Sequence, residues 1–438
     1  MAYNARQVLL KVIHIQAFKV MVLAKKMIDF AVAYYAGDRK TGTITVVRRR
    51  NGEVHSKQLP NAPESGKEKA RKPIFVGLAE EDRVITLDPD TKQIHVDERF
   101  VPDAFPAHLY SDPHSARDWF MNDGDKETGN DTLNCGERGS SVTVVENSGN
   151  VQARYLKTVC VGRGHHQCHF SYPSTEMPEV PYQAYVSNLK DGTISVIGNN
   201  ADRPDSFLQL MATINLCEPE KEDFDVPQVP NNAFPHGLVY SKVSGKVYNL
   251  NNGYGTIAVI DPVSHQIEQR IPFKGFSNLF ISPCGRYVIG RGADRKSDPD
   301  HVVAKMAVLD VSNHEVLDRI DLPDVYISKY FFNPEGDKLY LTTSSSGSEQ
   351  QQANLKTDAV LVFDLSALPK LRLAAELRLG APAGTLDFLA PSGTTELVFA
   401  STAADGAVTL IDPSAHEVLE TLPMVEPQPH SRLWLLPG

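Results

Sequence analysis

The residues His165-His166-Gln167-Cys168-His169 form the densest group of potential metal ligands in the chain, with three imidazoles and one thiol. Imidazole nitrogens suit copper and zinc, and thiolates suit zinc. Three further histidines precede predicted strands in Pro-containing contexts: His108, His236 and His430. If these strands converge, their imidazoles could form a transition-metal site. The spacing H-H-x-C-H matches no strong zinc pattern, and a single histidine is more often a hydrogen-bonded polar residue.

The elements that would position these histidines follow a repeated pattern of paired strands. In one copy, β-branched and aromatic residues alternate with small or polar ones over 184–188 and 193–197, and Asp191-Gly192 supplies a tight turn between them. The same pattern recurs at 246–260 and at 396–411. A third strand that begins with His-x-Val or His-x-Ile follows several copies, and a more apolar fourth strand precedes each copy.

Four antiparallel strands that repeat every ~40–70 residues predict the blades of a β-propeller. A β-sandwich, the alternative all-β architecture, usually occupies ~100 residues and shows no such period. The predicted fold class is therefore all-β, a seven-bladed β-propeller with a short N-terminal helical or hairpin extension, and eight blades are the alternative. The predicted inner strands end near Ser111, Ser171, Ser241, Ser282, Asn333, Ala390 and Leu436.

The strand at 431–436 needs partners from the N-terminal side, because a closed ring leaves no free sheet edge. The strand patterns at 74–78, 83–88 and 93–97 are predicted to supply them. This divides the chain into an N-terminal extension and linker at 1–72 and a β-propeller at 73–438. A second hairpin pattern, at 31–35 and 43–47, is the source of the eight-blade alternative.

These repeats resemble the YVTN-type β-propeller family, through the sequences AYVSN and DGTISVI within 184–197. The resemblance covers about residues 74–438. By architecture the chain is also distantly similar to the haem-binding propeller of periplasmic nitrite reductase. The copper-containing propellers of nitrous oxide reductase and thiocyanate dehydrogenase are similar in the same way. The resemblance implies a periplasmic location.

In the copper propellers, histidines on inner strands around the axis hold the metal. The resemblance therefore implies copper ligation here by His108, His165 or His166, His236 and His430. The comparable positions of the other inner strands carry no histidine, which excludes a full seven-histidine cluster. Those positions hold Asn278, Lys329 and Asp387.

The leading hypothesis is a metal-binding propeller, with copper at a histidine cluster and an oxidoreductase role on a small inorganic or organic substrate. The predicted ligands are His108, His165, His166, His169, His236 and His430. Asp387 and Lys329 are predicted to be catalytic proton or anion partners. Arg163 and Arg291 are predicted to hold an anionic ligand or cofactor.

Two other classes of function stay open at this point. The first is a non-enzymatic scaffold that binds protein partners through its loops. The second is a propeller that binds a haem-type cofactor, although the chain has no C-x-x-C-H attachment motif. The fold itself hosts all three classes and does not discriminate between them.

Composition limits the classes of binding partner and the cellular compartments that we expect for this protein. The net charge of −10 argues against binding to a nucleic-acid phosphate backbone. The apolar runs in residues 1–30 are too short to span a bilayer, and no clear secretory signal accompanies them. Among the five cysteines, one or two disulfides are feasible in an oxidising compartment, drawn from Cys135, Cys160, Cys168 and Cys217.

Overall fold

The computed structural model describes residues 28–37, 42–58, 74–78, 83–87, 94–97, 106–122, 135, 140–146, 154–424, 426–427 and 430–436. Strands dominate these residues. The only described α-helix is the short α1 (Glu349–Gln352), and 3-10 turns lie at Pro219–Lys221 and Leu365–Ala367. Among the described residues, no helix has the length and apolar character needed to cross a membrane.

The strands form seven four-stranded antiparallel sheets and one three-stranded sheet. The first sheet contains β1 (Phe30–Gly37), β2 (Gly42–Arg50), β3 (Glu53–Gln58) and the C-terminal β31 (His430–Leu436). The three-stranded sheet contains β4 (Ile74–Leu78), β5 (Arg83–Leu87) and β6 (Ile94–Asp97). The next four-stranded sheet contains β7 (Pro106–Ser111), β8 (Arg117–Asn122), β9 (Ser141–Glu146) and β10 (Arg154–Cys160). It is followed by the sheet of β11 (His165–Ser171), β12 (Gln183–Asn188), β13 (Thr193–Gly198) and β14 (Leu210–Asn215). The sheet after that contains β15 (Pro235–Ser241), β16 (Lys246–Asn251), β17 (Thr256–Ile260) and β18 (Ile267–Pro272).

The remaining three sheets follow the same order. The first of them contains β19 (Asn278–Ile281), β20 (Tyr287–Asp294), β21 (Val303–Asp310) and β22 (Val316–Pro323). The second contains β23 (Ile327–Phe332), β24 (Lys338–Thr343), β25 (Ala359–Asp364) and β26 (Arg372–Arg378). The third contains β27 (Ala383–Leu389), β28 (Leu397–Thr402), β29 (Ala407–Asp412) and β30 (Glu417–Pro423). Consecutive strands pair in every sheet, and the one non-consecutive pair among the described strands is β1 with β31 in the first sheet.

Neighbouring sheets meet through their first strands, as the blades of a propeller do. β11 lies against β15, β15 against β19, and β27 against β31. The middle strands, such as β12 and β13, are buried along their whole length because both of their faces are covered by adjacent sheets. The fourth strands, such as β14, are largely exposed. We call the first strands of the seven four-stranded sheets the inner strands: β7, β11, β15, β19, β23, β27 and β31.

The predicted all-β propeller is confirmed, and the seven four-stranded sheets fit seven blades. The three-stranded sheet β4–β6 lies between the first two of them in chain order, so the eight-blade alternative stays open. The predicted ends of the inner strands agree with the observed ones. For example, β7 ends at Ser111, β11 at Ser171 and β15 at Ser241.

The turns between the second and third strands also agree with the prediction. Gly192 has φ +68°, and Gly255 and Gly406, at the equivalent turns, have φ +66° and +61°. A Cβ atom at Gly192 would lie 2.0 Å from Oδ1 of Asn231, so this turn excludes any side chain for a steric as well as a conformational reason.

The prediction that residues 74–97 supply the partners of the C-terminal strand is wrong. β31 pairs antiparallel with β1, from Ala31 with Leu436 to Gly37 with His430. β4, β5 and β6 pair with one another instead. The reason is burial: Phe30, Val32 and Tyr34 of β1 belong to the same apolar cluster as Phe399 and Leu433. The ring is therefore closed by strands from the two ends of the described chain, and β1–β3, assigned to an extension by sequence, share a sheet with β31.

A β-bulge interrupts the pairing near the start of most inner strands. In three blades the N–H exposed by the bulge donates to a hydroxyl on the second strand. Gln167 N donates to Ser187 Oγ (3.0 Å), Lys329 N to Thr342 Oγ1 (3.2 Å) and Thr385 N to Ser401 Oγ (2.9 Å). The hydroxyl thus replaces the carbonyl partner that the bulge removes, and the bulge re-aims the inner strand's side chains.

Replacing Ser401 by Ala is expected to lower the free energy of unfolding by ~1–3 kcal/mol, because the bulge N–H of Thr385 loses its acceptor on the fully buried Ser401. Urea unfolding followed by circular dichroism measures the change. Ser264→Ala, which removes an exposed turn hydroxyl, is the control and should cost about 0.5 kcal/mol or less. Equal effects of the two substitutions would contradict this account of the bulge.

Candidate functional site

The inner strands are sheet edges, and their unpaired backbone groups receive side chains from the preceding blade. Oε1 of Gln167 accepts from Leu238 N at 2.8 Å, and Oγ1 of Thr385 accepts from Leu433 N at 2.9 Å. Nη1 of Arg291 donates to the carbonyl oxygen of Ile327 at 2.9 Å. Buried backbone groups need such partners, so polar residues are selected here for structural reasons as well as for chemistry.

The bulges and the strand pairing place seven residues at one equivalent position, one on each inner strand. We call this set the Lys329 ring. Its members are His108, Gln167, Gly237, Asn278, Lys329, Thr385 and Arg432. The position of Arg432 follows from its neighbour Leu433, whose N–H contacts Thr385 as that of Leu238 contacts Gln167.

One side of the Lys329 ring is neutral and internally hydrogen-bonded. Nε2 of Gln167 donates to Oδ1 of Asn278 at 2.8 Å, and this bond spans the intervening blade. Gly237 lies on that blade, and a Cβ atom there would approach Leu279 N to 2.7 Å. The glycine therefore lets the inner strands pack closely and leaves room for the Gln167–Asn278 bond.

The opposite side of the Lys329 ring is positively charged. The side chain of Lys329 is open to water, yet protein encloses it on most sides. This enclosure and the nearby charge of Arg432 lower the pKa of Lys329 to about 8. Among the described residues, no carboxylate pairs with its ammonium group and Nζ makes no hydrogen bond.

Arg291 adds a third positive charge on the blade before Lys329. Its Nη1 is held by Ile327, while its buried Nε has no hydrogen-bond partner among the described residues. Its charge contributes to lowering the pKa of His236, and it opposes the rise that burial causes in the pKa of Tyr330. The charge of Arg291 therefore acts on both His236 and Tyr330.

Asp387, the other predicted catalytic residue, lies on β27 and accepts two backbone hydrogen bonds. Oδ1 accepts from Phe388 N at 2.8 Å, and Oδ2 accepts from Leu435 N at 2.7 Å. Burial raises the pKa of its carboxyl group. The second bond ties β27 to β31, so Asp387 joins the last blade to the closing strand.

His169 occupies the same register position as Asp387, two residues beyond Gln167. Its Nδ1 accepts from Tyr240 N at 3.3 Å, which leaves the proton of the neutral imidazole on Nε2. Burial lowers the pKa of His169 to about 4. In this tautomer neither ring nitrogen has a lone pair free for a metal ion. The adjacent Cys168 points the other way, into the apolar core with Trp119 and Phe170.

His169 is expected to make the protein acid-sensitive. Its pKa lies near 6.5 in the unfolded chain and about 4 in the folded one, so between these values the unfolded chain binds more protons. The free energy of unfolding should then fall on acidification from pH 6.5 to 4, by up to about 1.4 kcal/mol per pH unit from this group. His169→Gln keeps an acceptor for Tyr240 N and should flatten the curve. Urea unfolding from pH 4 to 7 measures the free energy of unfolding of both proteins. If it depended on pH in the same way for the variant and the wild type, His169 would not be the cause of the acid sensitivity.

His236 has the opposite tautomer. Its Nδ1 donates to the carbonyl oxygen of Ser277 at 2.5 Å, which leaves the Nε2 lone pair unprotonated when the ring is neutral. Burial lowers its pKa, so the neutral form dominates at pH 7. Metal-binding histidines usually donate their second ring N–H to a carbonyl or carboxylate in this way.

The predicted metal ligands do not share one register position. His108 is a member of the Lys329 ring, whereas His236 and His166 precede that position by one residue. The side chains of His165, His166 and His430 lie outside the described residues. Within the described part of the chain, no group of three His, Cys, Asp or Glu side chains converges as a metal site.

Arg163, predicted to bind an anion, is held in an ion pair at the edge of β11. Its backbone N–H and its Nε both donate to Asp191, at 2.7 and 2.8 Å. Asp191 is 1% exposed. Lys329 lies on the inner strand β23 and Arg291 on the second strand β20, whereas Arg163 is held by Asp191 beside β11.

Cysteine pairing agrees in part with the sequence. One disulfide, Cys135–Cys160, joins the loop before β9 to the end of β10. Cys168 and Cys217 are free and buried, and Cys284 is free and exposed.

Comparison with solved structures shows the β-propeller fold. The periplasmic gluconolactonase PpgL of Pseudomonas aeruginosa is 13% identical over 94% of this chain and 99% of its own, with a TM-score of 0.54. A protein of Lactobacillus plantarum is 13% identical over 93% of this chain and 100% of its own (TM-score 0.51). Apo AztD from Citrobacter koseri is 11% identical over 94% and 100% (TM-score 0.50).

No protein-family model matches the chain, and no curated protein matches it significantly. At identities this low the similarity establishes the fold alone. The YVTN assignment therefore stays a resemblance, and the copper and haem hypotheses are left untested by these comparisons.

Gln167 and Arg432 are two residues of the Lys329 ring that sequence reasoning missed. Gln167 lies inside the His-rich motif, where attention falls on the metal-ligand types. Arg432 could have been found by its position, because it follows His430 in the last inner strand just as Gln167 follows His165.

Proposed function

We propose that the protein binds a small anionic ligand in its central channel, with Lys329 as the principal charged contact. The observation that carries the proposal is an ammonium group that is open to water, enclosed by protein and without a carboxylate partner among the described residues. An enclosed charge without a counter-ion is costly, and an anion would offset that cost.

Two neighbouring groups support an anion rather than a cation as the ligand. The charge of Arg432 acts on Lys329, and the charge of Arg291 acts on His236 two blades earlier in the chain. Asp387, the carboxylate nearest in register, has both oxygens engaged by backbone N–H groups. These bonds hold the carboxylate of Asp387 in place without removing its charge, so the positive surroundings of Lys329 depend on Arg432, in a chain whose net charge is −10.

Calorimetric titration at pH 7 with acetate and oxalate, each compared with its neutral amide, tests this proposal. We expect saturable binding of the carboxylates and at least about tenfold weaker binding of acetamide and oxamide, because the amides carry no charge. Affinity should fall as salt is added, though less steeply than at an exposed site. Equal affinity for acid and amide, or no binding of either, would reject an anion site.

A second candidate is a copper site at the channel mouth with a redox role, and the orientation of His236 favours it. The Nδ1–H bond to Ser277 fixes the ring in the tautomer that presents a lone pair from Nε2. His236 would be one ligand, and the positive charge of Arg291 beside it opposes a cation. The further ligands in this hypothesis are His165, His166 and His430.

Loading the purified protein with Cu(II) tests the second candidate. The hypothesis predicts near-stoichiometric copper with nitrogen hyperfine structure in the electron paramagnetic resonance spectrum. It also predicts a loss of affinity of ~10–100-fold in His236→Gln. His314→Gln, at an outer-strand turn, is the matched control. Identical copper binding by the wild type and His236→Gln would exclude this site.

A further inference from the structure

Lys329 differs from several other lysines of the propeller, whose ammonium groups pair with carboxylates. Lys246 pairs with Asp261 and Glu268, Lys338 with Asp364, and Lys356 with Glu376. Lys329 has the cation Arg432 as a neighbour instead, and its ammonium has no carboxylate partner among the described residues. Its position on the wall of the channel leaves it open to a small solute.

This environment changes the chemistry of the amine as well as its charge. An ordinary lysine is almost wholly protonated at pH 7, so its nitrogen has no lone pair to share. Enclosure and the charge of Arg432 lower the pKa of Lys329 to about 8, so about a tenth of the molecules carry the neutral amine at pH 7. Lysines that form Schiff bases are activated in the same two ways, by desolvation and by a neighbouring cation.

The neighbouring positive charge also defines which carbonyl compounds would be concentrated there. A carboxylate on the ligand would be attracted by Arg432, whose charge acts on Lys329. A ligand with its carbonyl carbon next to that carboxylate would place the carbonyl beside Lys329. A 2-oxo carboxylate meets both requirements with the fewest atoms.

We propose that Lys329 forms a Schiff base with small 2-oxo carboxylates that enter the channel. The neutral amine attacks the carbonyl carbon, the resulting carbinolamine loses one molecule of water, and a C=N bond replaces the C=O bond. No oxidation or reduction takes place, and the carboxylate stays ionised throughout. The inference rests on the proposed anion site and assigns it a substrate class and a covalent step.

Borohydride trapping with pyruvate is the test. The full-length protein is incubated with pyruvate and sodium borohydride, and the modified residue is mapped by mass spectrometry. We expect one reduced pyruvyl adduct, on Lys329, with labelling at least about tenfold above that of any other lysine. Lys329→Arg should give no such adduct, while the control Lys296→Met, at an exposed loop, should be labelled like the wild type.

A second arm needs no substitution. Oxalate, which has no reactive carbonyl, should protect Lys329 of the wild type from labelling by occupying the same site. Labelling spread evenly over surface lysines, or no labelling at all, would overturn the Schiff-base proposal. If carboxylates still bind in calorimetry under that outcome, only the covalent step fails. If they do not, the anion site fails with it.

Discussion

Replacing Val32 by Asp is expected to unfold the protein or to lower its free energy of unfolding by more than about 4 kcal/mol. Val32 is 0% exposed and pairs with Val47 on one side and Leu435 on the other. A carboxylate there would be buried without a partner, in the cluster that joins the first sheet to the last. Because this sheet closes the ring, its loss exposes the edge of β27 and the apolar faces of two blades.

The matched control lies in the same sheet. Val54 on β3 is 39% exposed, so Val54→Asp should change the free energy of unfolding by about 1 kcal/mol or less. Urea unfolding of both variants, followed by tryptophan fluorescence and circular dichroism, measures the difference. If Val32→Asp were as stable as Val54→Asp, closure of the ring through β1 would be wrong.

Replacing Lys329 by Met is expected to weaken the binding of carboxylates by ~10–150-fold. A hydrogen bond to a charged group contributes ~1.5–3 kcal/mol, and the loss converts into that range of affinity. Lys329→Arg keeps the charge and should retain most of the affinity. Lys296→Met removes an exposed lysine and should leave affinity unchanged.

The same substitution distinguishes a binding residue from a structural one. Because Lys329 carries an enclosed charge beside Arg432, removing the charge should leave the folded protein at least as stable at pH 7. A structural lysine would show the reverse, with lost stability and unchanged affinity. Calorimetric titration with oxalate and thermal unfolding of the ligand-free proteins together give the answer, and unchanged oxalate affinity would contradict the account.

The repeated strands could be predicted from sequence because the pattern that specifies each strand lies within a few consecutive residues. Alternation over five or six residues and a glycine turn, as at Gly192, are sufficient to locate β12 and β13. Closure could not be predicted in this way. Residues 31–35 and 74–78 have similar strand patterns, and the choice between them depends on how β1 packs against residues almost 400 positions away. No local pattern records such a contact.

The roles of Lys329 and Asp387 stay predictions. The sequence singles out both because they occur at inner-strand positions where other blades carry histidine. The difference in their hydrogen bonding was not visible, since it depends on Asp387 accepting from Leu435 while Lys329 has no such partner among the described residues. The two tautomers of His169 and His236 likewise depend on whether the neighbouring backbone group is an N–H or a carbonyl. The residue type alone does not determine which ring nitrogen of a histidine carries the proton.

The protonation of Lys329 with and without an anion is the most direct test of the central claim. Reductive methylation with ¹³C-formaldehyde labels the lysines, and comparison with Lys329→Arg assigns the Lys329 signal in nuclear magnetic resonance spectra. The account predicts a pKa of about 8 without ligand and a higher pKa in saturating oxalate, since the anion binds the charged form. A pKa near 10.5 that oxalate does not shift would show that Lys329 is an ordinary solvated lysine and would contradict the anion site.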